Sequence, residues 1–466
     1  MESRYKDFFK NKKITVLGVG ILGRGVGDVR FFAECGADIL VTDLKNREEL
    51  RGSLNALKEY KNITYVLGEH RLADFKDKDL VIKAAGVPLD SPFVAEARKN
   101  KIPVEMSTAL FVKLLPPDVF IVGVTGTRGK STVAHLIFHI LQKAGKRVFL
   151  GGNVAGVSTL ELLKKVRSRD GVVLELDSWQ LQGFGEAKIS PHTAVFTNFL
   201  DDHLNYYESD RSRYLDDKAN IFKFQREENT IILGKQCAAL IQEKYPNIKS
   251  TIVIADKKDI PQNWKITLPG EHNKDNAACA IAVAHALGVS DGVIQQALTD
   301  FNGVSGRLEL ISEIKGVKIY NDTTATTPDA TMAALKALSS RLGSGQNQNN
   351  RIVLILGGSD KGLDMSKLAE EIPKYCKTVI LLPGTGTDNF RFKISDLRLK
   401  NIIIETKTLK EAVVKGIGVA KSGDILLFSP AFASFGLFKN EFDRGDQFNE
   451  MVQVVGKSGS RASSCF

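Results

Sequence analysis

The sequence predicts an α/β protein of three domains with mostly parallel sheets. Apolar, strand-like runs alternate with helix-like segments over most of the chain, which is typical of layered α/β folds. Two glycine-rich loops each follow such a run, as expected where a strand turns into a helix beside a phosphate group. The length of 466 residues fits three domains of ordinary size, with expected boundaries 1–112, 113–302 and 303–466.

Composition and charge favour a soluble enzyme that binds acidic small molecules. The formal net charge is +10, but the basic residues are scattered, which favours small anions over nucleic acid as partners. Five widely spaced cysteines without a C-x-x-C pair indicate neither a disulfide framework nor a zinc site. No apolar signal core is present, and no apolar run approaches the roughly 20 residues that cross a bilayer. A cytoplasmic protein without a membrane partner is expected.

The first domain begins with a dinucleotide-type fingerprint. Strand Ile14–Leu17 leads into the loop Gly18–Gly23, and a second strand, Asp38–Asp43, ends in an acidic residue. An acidic residue about 20 residues after the glycines is the arrangement that binds NAD in Rossmann domains. The pattern alone is weak, and a glycine turn that binds nothing remains open as an alternative.

The second glycine loop is a stronger signal, because it combines glycines with a lysine and hydroxyl groups. Strand Val119–Val124 precedes it and the helical segment Val133–Leu141 follows it. Such a loop points backbone N–H groups at phosphate oxygens, while a lysine adds positive charge and a hydroxyl reaches Mg²⁺. The predicted nucleotide contacts are Gly126, Thr127, Arg128, Gly129, Lys130, Ser131 and Thr132. A tight turn that merely contains a lysine is the alternative.

Two further segments supply candidate metal ligands. Val172–Ser178 has a buried-strand pattern that contains Glu175, whose unpaired charge would be costly unless a cation such as Mg²⁺ accompanies it. An ion pair with a buried Lys or Arg is the alternative for this glutamate. His203 follows strand Ala194–Phe196 and could ligate a second metal ion as neutral imidazole. His135 and His139 lack an intervening glutamate and are expected to be ordinary helix residues.

Together these motifs resemble the Mur ligases, a family of ATP-dependent enzymes that add amino acids to the peptidoglycan precursor. The resemblance lies in Gly123–Thr132, Leu174–Ser178, Thr197–His203 and Leu354–Lys361. Ser429–Asn440, Arg444-Gly445 and Asn321–Thr326 resemble the branch that joins D-glutamate to UDP-N-acetylmuramoyl-L-alanine. The resemblance therefore implies these two substrates, ATP, two Mg²⁺ ions and an acyl-phosphate intermediate, in a protein expected to be a monomer.

The resemblance also assigns a role to each domain. It implies an N-terminal Rossmann-like domain that binds UDP rather than NAD, a central P-loop ATPase-like domain, and a C-terminal Rossmann-like domain that binds the amino acid. The implied UDP-substrate contacts are Gly20, Ile21, Leu22, Asp43, Leu44, Lys45, Gly86 and Asn153.

The remaining site residues follow from the same resemblance. The implied metal ligands are Ser131, Glu175, His203 and a carbamylated Lys218; further ATP contacts are Asn273, Asn276, Arg307 and Asp322; D-glutamate contacts are Thr326, Lys361 and Ser434. The implied catalytic groups are Lys130, His203, Lys218, Arg307 and Lys361. The alternative for Lys218 is an ion pair with Asp216 or Asp217 on a solvated helix face. For the asparagines and Arg307 it is a loop cap or a surface ion pair, and for Ser434 it is a turn or cap feature.

Several positions depart from the family pattern, and rival functions remain. Thr324 stands where lysine is usual, Asp177 where serine is usual and Arg128 where asparagine is usual, and Glu441-Phe442 inverts the usual order. The rivals are another Mur-type ligase, a folylpolyglutamate synthase, a nicotinamide oxidoreductase, and a non-enzymatic ATP-binding switch or scaffold.

Overall fold

The computed structural model describes residues 2–21, 23–154, 156–202, 206–268, 270–339, 351–395, 403–434 and 437–461. The chain divides into two compact units. The first comprises Met1–Lys265 and Asp275–Thr299, and the second comprises Ile266–Lys274 and Asp300–Phe466. The first unit contains two sheets and the second contains one. The boundaries of the three expected domains stay a prediction.

The first sheet of the first unit is a five-stranded parallel sheet with helices between its strands. In chain order its elements are α1 (Glu2–Phe9), β1 (Lys13–Leu17), α2 (Arg24–Glu34), β2 (Asp38–Asp43), α3 (Arg51–Asn55), β3 (Ile63–Leu67), β4 (Leu80–Lys83), α4 (Pro92–Lys99), β5 (Val104–Glu105) and α5 (Ser107–Leu114). The strand order is β3-β2-β1-β4-β5, and every pairing is parallel. The order reverses between β1 and β4, which is where open α/β sheets bind ligands.

The second sheet has six strands, again all parallel. Its segment of the chain forms β6 (Phe120–Thr125), α6 (Lys130–Lys143), β7 (Val148–Gly152), β8 (Gly171–Glu175), α7 (Ser178–Ala187), β9 (Thr193–Phe196), α8 (Arg211–Ala219), β10 (Thr230–Gly234), α9 (Lys235–Lys244), β11 (Thr251–Ala255), α10 (Glu271–Ala286) and α11 (Asp291–Asp300). The strand order is β11-β10-β9-β6-β8-β7. Strand β6 therefore lies between β8 and β9, and their carboxyl ends meet beside the loop that follows β6.

A single hydrophobic core joins these two sheets. It runs from Phe9 and Phe31 in the first segment to Phe184 and Phe196 in the second, all of them fully buried. Helix α5 packs against α7, where Gln180 Nε2 donates a hydrogen bond to Thr108 Oγ1 at 3.0 Å. The first unit is therefore one packed body, although the sequence predicts two domains in this part of the chain.

The second unit is built on a mixed six-stranded sheet. Its elements are β12 (Glu309–Ile314), β13 (Val317–Asn321), α12 (Pro328–Ser339), β14 (Ile352–Leu356), α13 (Ser366–Tyr375), β15 (Cys376–Leu381), α14 (Thr385–Ser395), β16 (Ile403–Glu405), α15 (Leu409–Val419), β17 (Ile425–Phe428) and α16 (Glu441–Arg461). The strand order is β12-β13-β17-β14-β15-β16, and only β12 runs antiparallel to its neighbour.

The predicted α/β class with mostly parallel sheets is confirmed, and most predicted strands agree with the observed ones. The strand predicted over Val172–Ser178 extends too far, because β8 ends at Glu175 and α7 begins at Ser178. Asp177 caps α7 instead: its carboxylate accepts from Gln180 N at 2.7 Å, and its own N–H donates to Gln180 Oε1. None of the helices in the described ranges is long and apolar enough to span a bilayer. Four cysteines are buried free thiols, and Cys465 lies outside the described residues.

Candidate functional site

The glycine loop after β6 has a backbone that only glycine can adopt at two positions. Gly126 has a φ of 142° and Gly129 a φ of 82°, both in the left-handed half of the map. A Cβ atom at Gly126 would lie 2.0 Å from Thr197 Oγ1, and one at Gly129 would lie 2.1 Å from Asn276 Oδ1. The loop can therefore curl tightly into the N-terminus of α6, where the backbone N–H groups of a first helical turn favour an anion.

The segment after β9 holds this loop from the other side. Asn198 accepts from the Thr127 N–H through its carbonyl and from the Arg128 N–H through its side chain, both at 2.9 Å. Thr197 Oγ1 donates to the Arg128 carbonyl at 2.6 Å. The Arg128 guanidinium is largely exposed and lies 3.5 Å from Asp202. The backbone of the loop is thus fixed, while the side chain of Arg128 faces solvent.

Two lysines converge on one carbonyl oxygen of the loop. Lys130 Nζ lies 3.1 Å from the Gly126 carbonyl oxygen, and Lys218 Nζ lies 2.8 Å from the same atom. Lys218 is only 1% exposed, and burial, together with the charge of Lys130, holds its pKa well below the usual value. Burial and the neighbouring positive charge of Lys130 both disfavour the ammonium form of Lys218.

The alternative interpretation of Lys218 as a solvated helix lysine is wrong. Asp216 pairs with Lys223 and Lys244 instead, at 3.6 and 3.4 Å. The Asp217 carboxylate accepts hydrogen bonds from Gln182 Nε2 and Tyr207 OH. Both carboxylates that directly precede Lys218 in the sequence thus have other partners.

Glu175 lies at the end of β8, directly beside the phosphate loop. It pairs in register with Val124 of β6, is 4% exposed, and forms no ion pair with any residue in the described part of the chain. The hydroxyl-bearing Ser131 lies at the start of α6. Oxygen donors of this kind fit Mg²⁺, and Lys218 would join them only as a carbamate, since an amine is a poor ligand for a hard cation. His203 lies outside the described residues, within which no cluster of three His, Cys, Asp or Glu side chains could hold a metal ion.

The predicted UDP-substrate residues surround the carboxyl ends of β1, β2 and β4. The Asp43 carboxylate accepts from the N–H groups of Val19, Gly20 and Lys45 at 2.9–3.0 Å, so it organises the glycine loop itself. Ile21, Leu44 and Gly86 are exposed at this rim of the sheet. Leu22 lies outside the described residues. Binding by these residues stays a prediction.

Two cations in this region were missed from the sequence. Arg24, the first residue of α2, donates through Nη1 to Asn153 Oδ1, which joins the glycine loop to the predicted sugar contact. Lys83 ends β4 and is 1% exposed; its ammonium donates to the carbonyls of Ala84 and Val87 at 3.2 and 2.5 Å. Burial lowers the pKa of Lys83 to about 8. The sequence signals for these residues are the position of Lys83 at the end of an apolar strand and the position of Arg24 directly after a glycine loop.

The structure brings together the three predicted D-glutamate residues within the second unit. Lys361 Nζ donates to Thr326 Oγ1 at 2.9 Å, and burial lowers its pKa. A two-way backbone pairing of Ser359 with Ala433, at 2.9 and 3.2 Å, brings the segment of Lys361 next to Ser434. Ser434 is 4% exposed. A lysine and two hydroxyl groups could bind a carboxylate here.

Four further ATP contacts are predicted from the sequence, namely Asn273, Asn276, Arg307 and Asp322. Asn273 and Asn276 are buried and lie one turn apart on α10, with Asn276 against Gly129. The Asp322 carboxylate accepts from Leu308 N at 3.0 Å and from Ser429 Oγ at 2.8 Å. Burial raises the pKa of Asp322 to about 7, against the effect of these bonds and of nearby Arg307. Nucleotide contacts by these four residues stay predictions.

The raised pKa of Asp322 predicts a specific dependence of stability on pH. The folded state favours the protonated carboxyl of Asp322. Its contribution to the free energy of unfolding is therefore fully present below 3.8, the pKa in the unfolded chain, and is lost as the pH rises through about 7. Asp322→Asn should remove about 2–4 kcal/mol of this pH dependence. Melting temperatures of both proteins, measured without ligands at about pH 5 and about pH 8, test this expectation. The exposed Asp446→Asn is the control, and parallel curves for Asp322→Asn and wild type would contradict the prediction.

Family models match all three segments of the chain. The MurD-like N-terminal domain of Mur ligases matches residues 12–105, the Mur ligase middle domain matches residues 124–260, and the Mur ligase glutamate ligase domain matches residues 306–432.

Relatives and solved structures agree with these matches. A UDP-N-acetylmuramoylalanine–D-glutamate ligase of Roseiflexus sp. (strain RS-1) is 34% identical over 95% of this chain and 98% of its own length. The enzyme of that name from Borreliella afzelii (strain PKo) is also 34% identical, over 97% of this chain and 99% of its own. The crystal structure of UDP-N-acetylmuramate–alanine ligase MurC from Thermotoga maritima has a TM-score of 0.61 at 20% identity, covering 95% of this chain and 100% of that one. MurF ligase from Thermotoga maritima in complex with ADP has a TM-score of 0.56 at 16% identity, covering 90% and 95%. The sequence matches along the full chain and the shared fold establish that this chain belongs to the Mur ligase family.

Proposed function

We propose that this chain joins D-glutamate to UDP-N-acetylmuramoyl-L-alanine, with cleavage of ATP to ADP and phosphate, in cytoplasmic peptidoglycan precursor synthesis. The observation that carries the choice of substrates is the full-length match to relatives that bear this ligase's name. The convergence of Lys130 and Lys218 on the phosphate loop supports the chemistry.

In this proposal the triphosphate binds the loop Gly126–Thr132 at the N-terminus of α6. The alanine carboxylate of the UDP-sugar attacks the γ-phosphorus, the bond to the β-phosphate oxygen breaks, and an acyl phosphate and ADP result. Lys130 and Arg307 stabilise negative charge on the phosphoryl oxygens as it moves. Mg²⁺, held by Ser131, Glu175, His203 and the modified Lys218, would neutralise the crowded oxygens when bound.

Modification of Lys218 is part of the proposal. Its amine, in the neutral form, would attack the carbon of CO₂; a C–N bond forms as one C=O π bond opens, and loss of one N–H proton to water leaves an anionic carbamate. The same burial that lowers the pKa of Lys218 makes the amine reactive, and the carbamate would supply oxygen ligands in place of an ammonium. The negative charge of a buried carbamate would also offset the positive charge of Lys130.

The second half of the proposed reaction uses the residues that are predicted to bind the amino acid. Lys361, Thr326 and Ser434 would bind the carboxylates of D-glutamate, with its amine directed at the acyl phosphate. The amine nitrogen attacks the carbonyl carbon, a tetrahedral intermediate forms, and its collapse expels phosphate and leaves an amide. No protein nucleophile is required.

The proposal is tested by ADP release with ATP, Mg²⁺ and UDP-N-acetylmuramoyl-L-alanine. The amino acids to compare are D-glutamate, L-glutamate, L-alanine, L-lysine and diaminopimelate. Turnover with D-glutamate alone is expected. Turnover with a different amino acid would keep the ligase chemistry and assign another step, to which Thr324 and Glu441 would then be relevant. ATP binding without any amino-acid-dependent turnover would favour a nucleotide switch or scaffold.

Arg24 is expected to contact the diphosphate of the UDP-sugar, since its guanidinium lies between the glycine loop and Asn153. Loss of one charge-assisted hydrogen bond to phosphate costs about 1.5–3 kcal/mol, so Arg24→Met should weaken UDP binding by roughly tenfold or more. Calorimetric titration with UDP measures this, and ADP binding should not change. Arg30→Met on the same helix, whose partner is Glu161 at 3.7 Å, is the matched control. Equal UDP affinity in the two variants would contradict the assignment.

A further inference from the structure

Arg444 is a completely buried cation near the start of α16. Its side chain is 0% exposed, and no carboxylate in the described parts of the chain lies within 4.0 Å of its guanidinium. Burying a charged group is costly unless partners compensate it. Here the partners are neutral: Nη2 donates to the Thr323 carbonyl at 2.7 Å, Nε to Thr323 Oγ1 at 3.1 Å, and Nη1 to the Phe432 carbonyl at 3.1 Å.

These acceptors lie on two different loops at the carboxyl edge of the sheet. Thr323 follows β13 and lies three residues before Thr326, while Phe432 follows β17 and lies two residues before Ser434. The rigid fork of a guanidinium fixes the separation and orientation of the groups that it contacts. One side chain therefore connects the two segments that carry the hydroxyl groups of the proposed amino-acid site.

The charge of Arg444 also reaches that site. Burial lowers the pKa of Lys361, Glu441 opposes this effect, and the nearby positive charge of Arg444 adds to it. Burial likewise lowers the pKa of Arg444 to about 10, with Glu441 again opposing. Lys361 and Arg444 are thus both influenced by the single carboxylate of Glu441. The positive charge of the two side chains exceeds the negative charge of this one carboxylate, which favours an incoming anion. A dicarboxylic amino acid matches this surplus better than a neutral or basic one.

We propose that Arg444 is a positioning residue for the amino-acid substrate: by joining the Thr323–Thr326 and Phe432–Ser434 loops it sets the spacing of the groups that bind the substrate carboxylates. This inference rests on the proposed function and adds a residue to it. Arg444 does not contact the substrate, because its side chain is fully buried; it acts through Thr326, Ser434 and Lys361.

The test is steady-state kinetics of the full-length Arg444→Lys enzyme, with each of the three substrates varied in turn. Lysine keeps the charge but cannot contact both loops as the guanidinium does. The KM for D-glutamate should rise about tenfold or more, while the KM values for ATP and for the UDP-sugar stay within about twofold of wild type. A general structural defect would instead lower kcat with all three KM values unchanged, and this result would overturn the proposal. Arg351→Lys, whose guanidinium pairs with Asp424 at 3.4 Å in the same unit, is the control.

A milder variant covers the case in which Arg444→Lys does not fold. Thr323→Val removes only the hydroxyl that accepts from Arg444 Nε and donates to the Glu441 carbonyl at 2.8 Å. It should show the same selective rise in the KM for D-glutamate at smaller size, and an unchanged KM would refute the positioning role. Failure of the proposed function can be distinguished from failure of the positioning role, because in the first case the wild-type enzyme would release no ADP in response to D-glutamate.

Discussion

Lys218→Ala is expected to lower D-glutamate-dependent ADP release by about 100-fold or more, because the proposed carbamate ligand is lost. Added acetate or formate should restore part of the rate, since a small carboxylate can enter the space left by the buried side chain. The structure supports this expectation through the 1% exposure of Lys218 and its 2.8 Å contact with the Gly126 carbonyl. A second measurement is the rate of the wild-type enzyme after removal of dissolved CO₂, which should fall and recover with bicarbonate.

The control for this experiment is Lys223→Ala. Lys223 lies five residues later in the sequence, and its ammonium pairs with Asp216 near the surface, so its loss should leave the rate near that of wild type. Full activity of Lys218→Ala without any added carboxylate would exclude a metal-supporting role for this lysine. A loss that no carboxylate restores, together with a wild-type rate insensitive to CO₂, would indicate that the ammonium itself is required.

Lys130→Ala is expected to reduce ATP turnover by about 1000-fold, since a charge aimed at a transferring phosphoryl group is among the largest contributions to such reactions. Lys130 Nζ lies 3.1 Å from the carbonyl oxygens of both Gly126 and Thr127, so its chain folds back over the loop. Calorimetry should show weaker ATP binding and unchanged UDP binding. Lys143→Ala, at the opposite end of α6, is the control. Loss of UDP binding in Lys130→Ala would refute the separation of the two sites.

Local sequence patterns predicted the parts of the site that depend on local geometry. A strand, a glycine loop with a lysine and a helix start can be recognised from spacing alone, so β6, the phosphate loop and α6 were predicted closely. The end of β8 was not predicted correctly, because the mostly apolar run continues to Leu176. Only the hydrogen bonds between Asp177 and Gln180 show that a helix cap follows. Thr324, Asp177 and Glu441 were recognised as departures from the family pattern, but their effects depend on neighbours that only the fold supplies.

The position of Lys83 at the end of an apolar strand is a signal in the sequence, but the depth to which Lys83 and Arg444 are buried could not be predicted, for a physical reason. Lys83 and Arg444 are both at most 1% exposed, yet each occupies a position where a surface charge would look unremarkable. Their burial is possible because backbone carbonyls from turns after β4, β13 and β17 accept their hydrogen bonds. Those carbonyls converge only after the strands have paired, and strand order is set by packing across the whole sheet.

The continuous core of the first unit limits how this enzyme could be rearranged or dissected. A polypeptide cut between the first two expected domains would expose the apolar faces of α5 and α7, including Phe111 and Phe184, which are fully buried in the intact chain. The N-terminal segment, which we propose binds the UDP-sugar, is therefore not an independent module. Replacing this segment with that of a ligase that prefers a different sugar nucleotide would require the surface of the second sheet's segment that packs against it to be replaced as well. Calorimetry should show the two segments of the first unit melting in one cooperative transition.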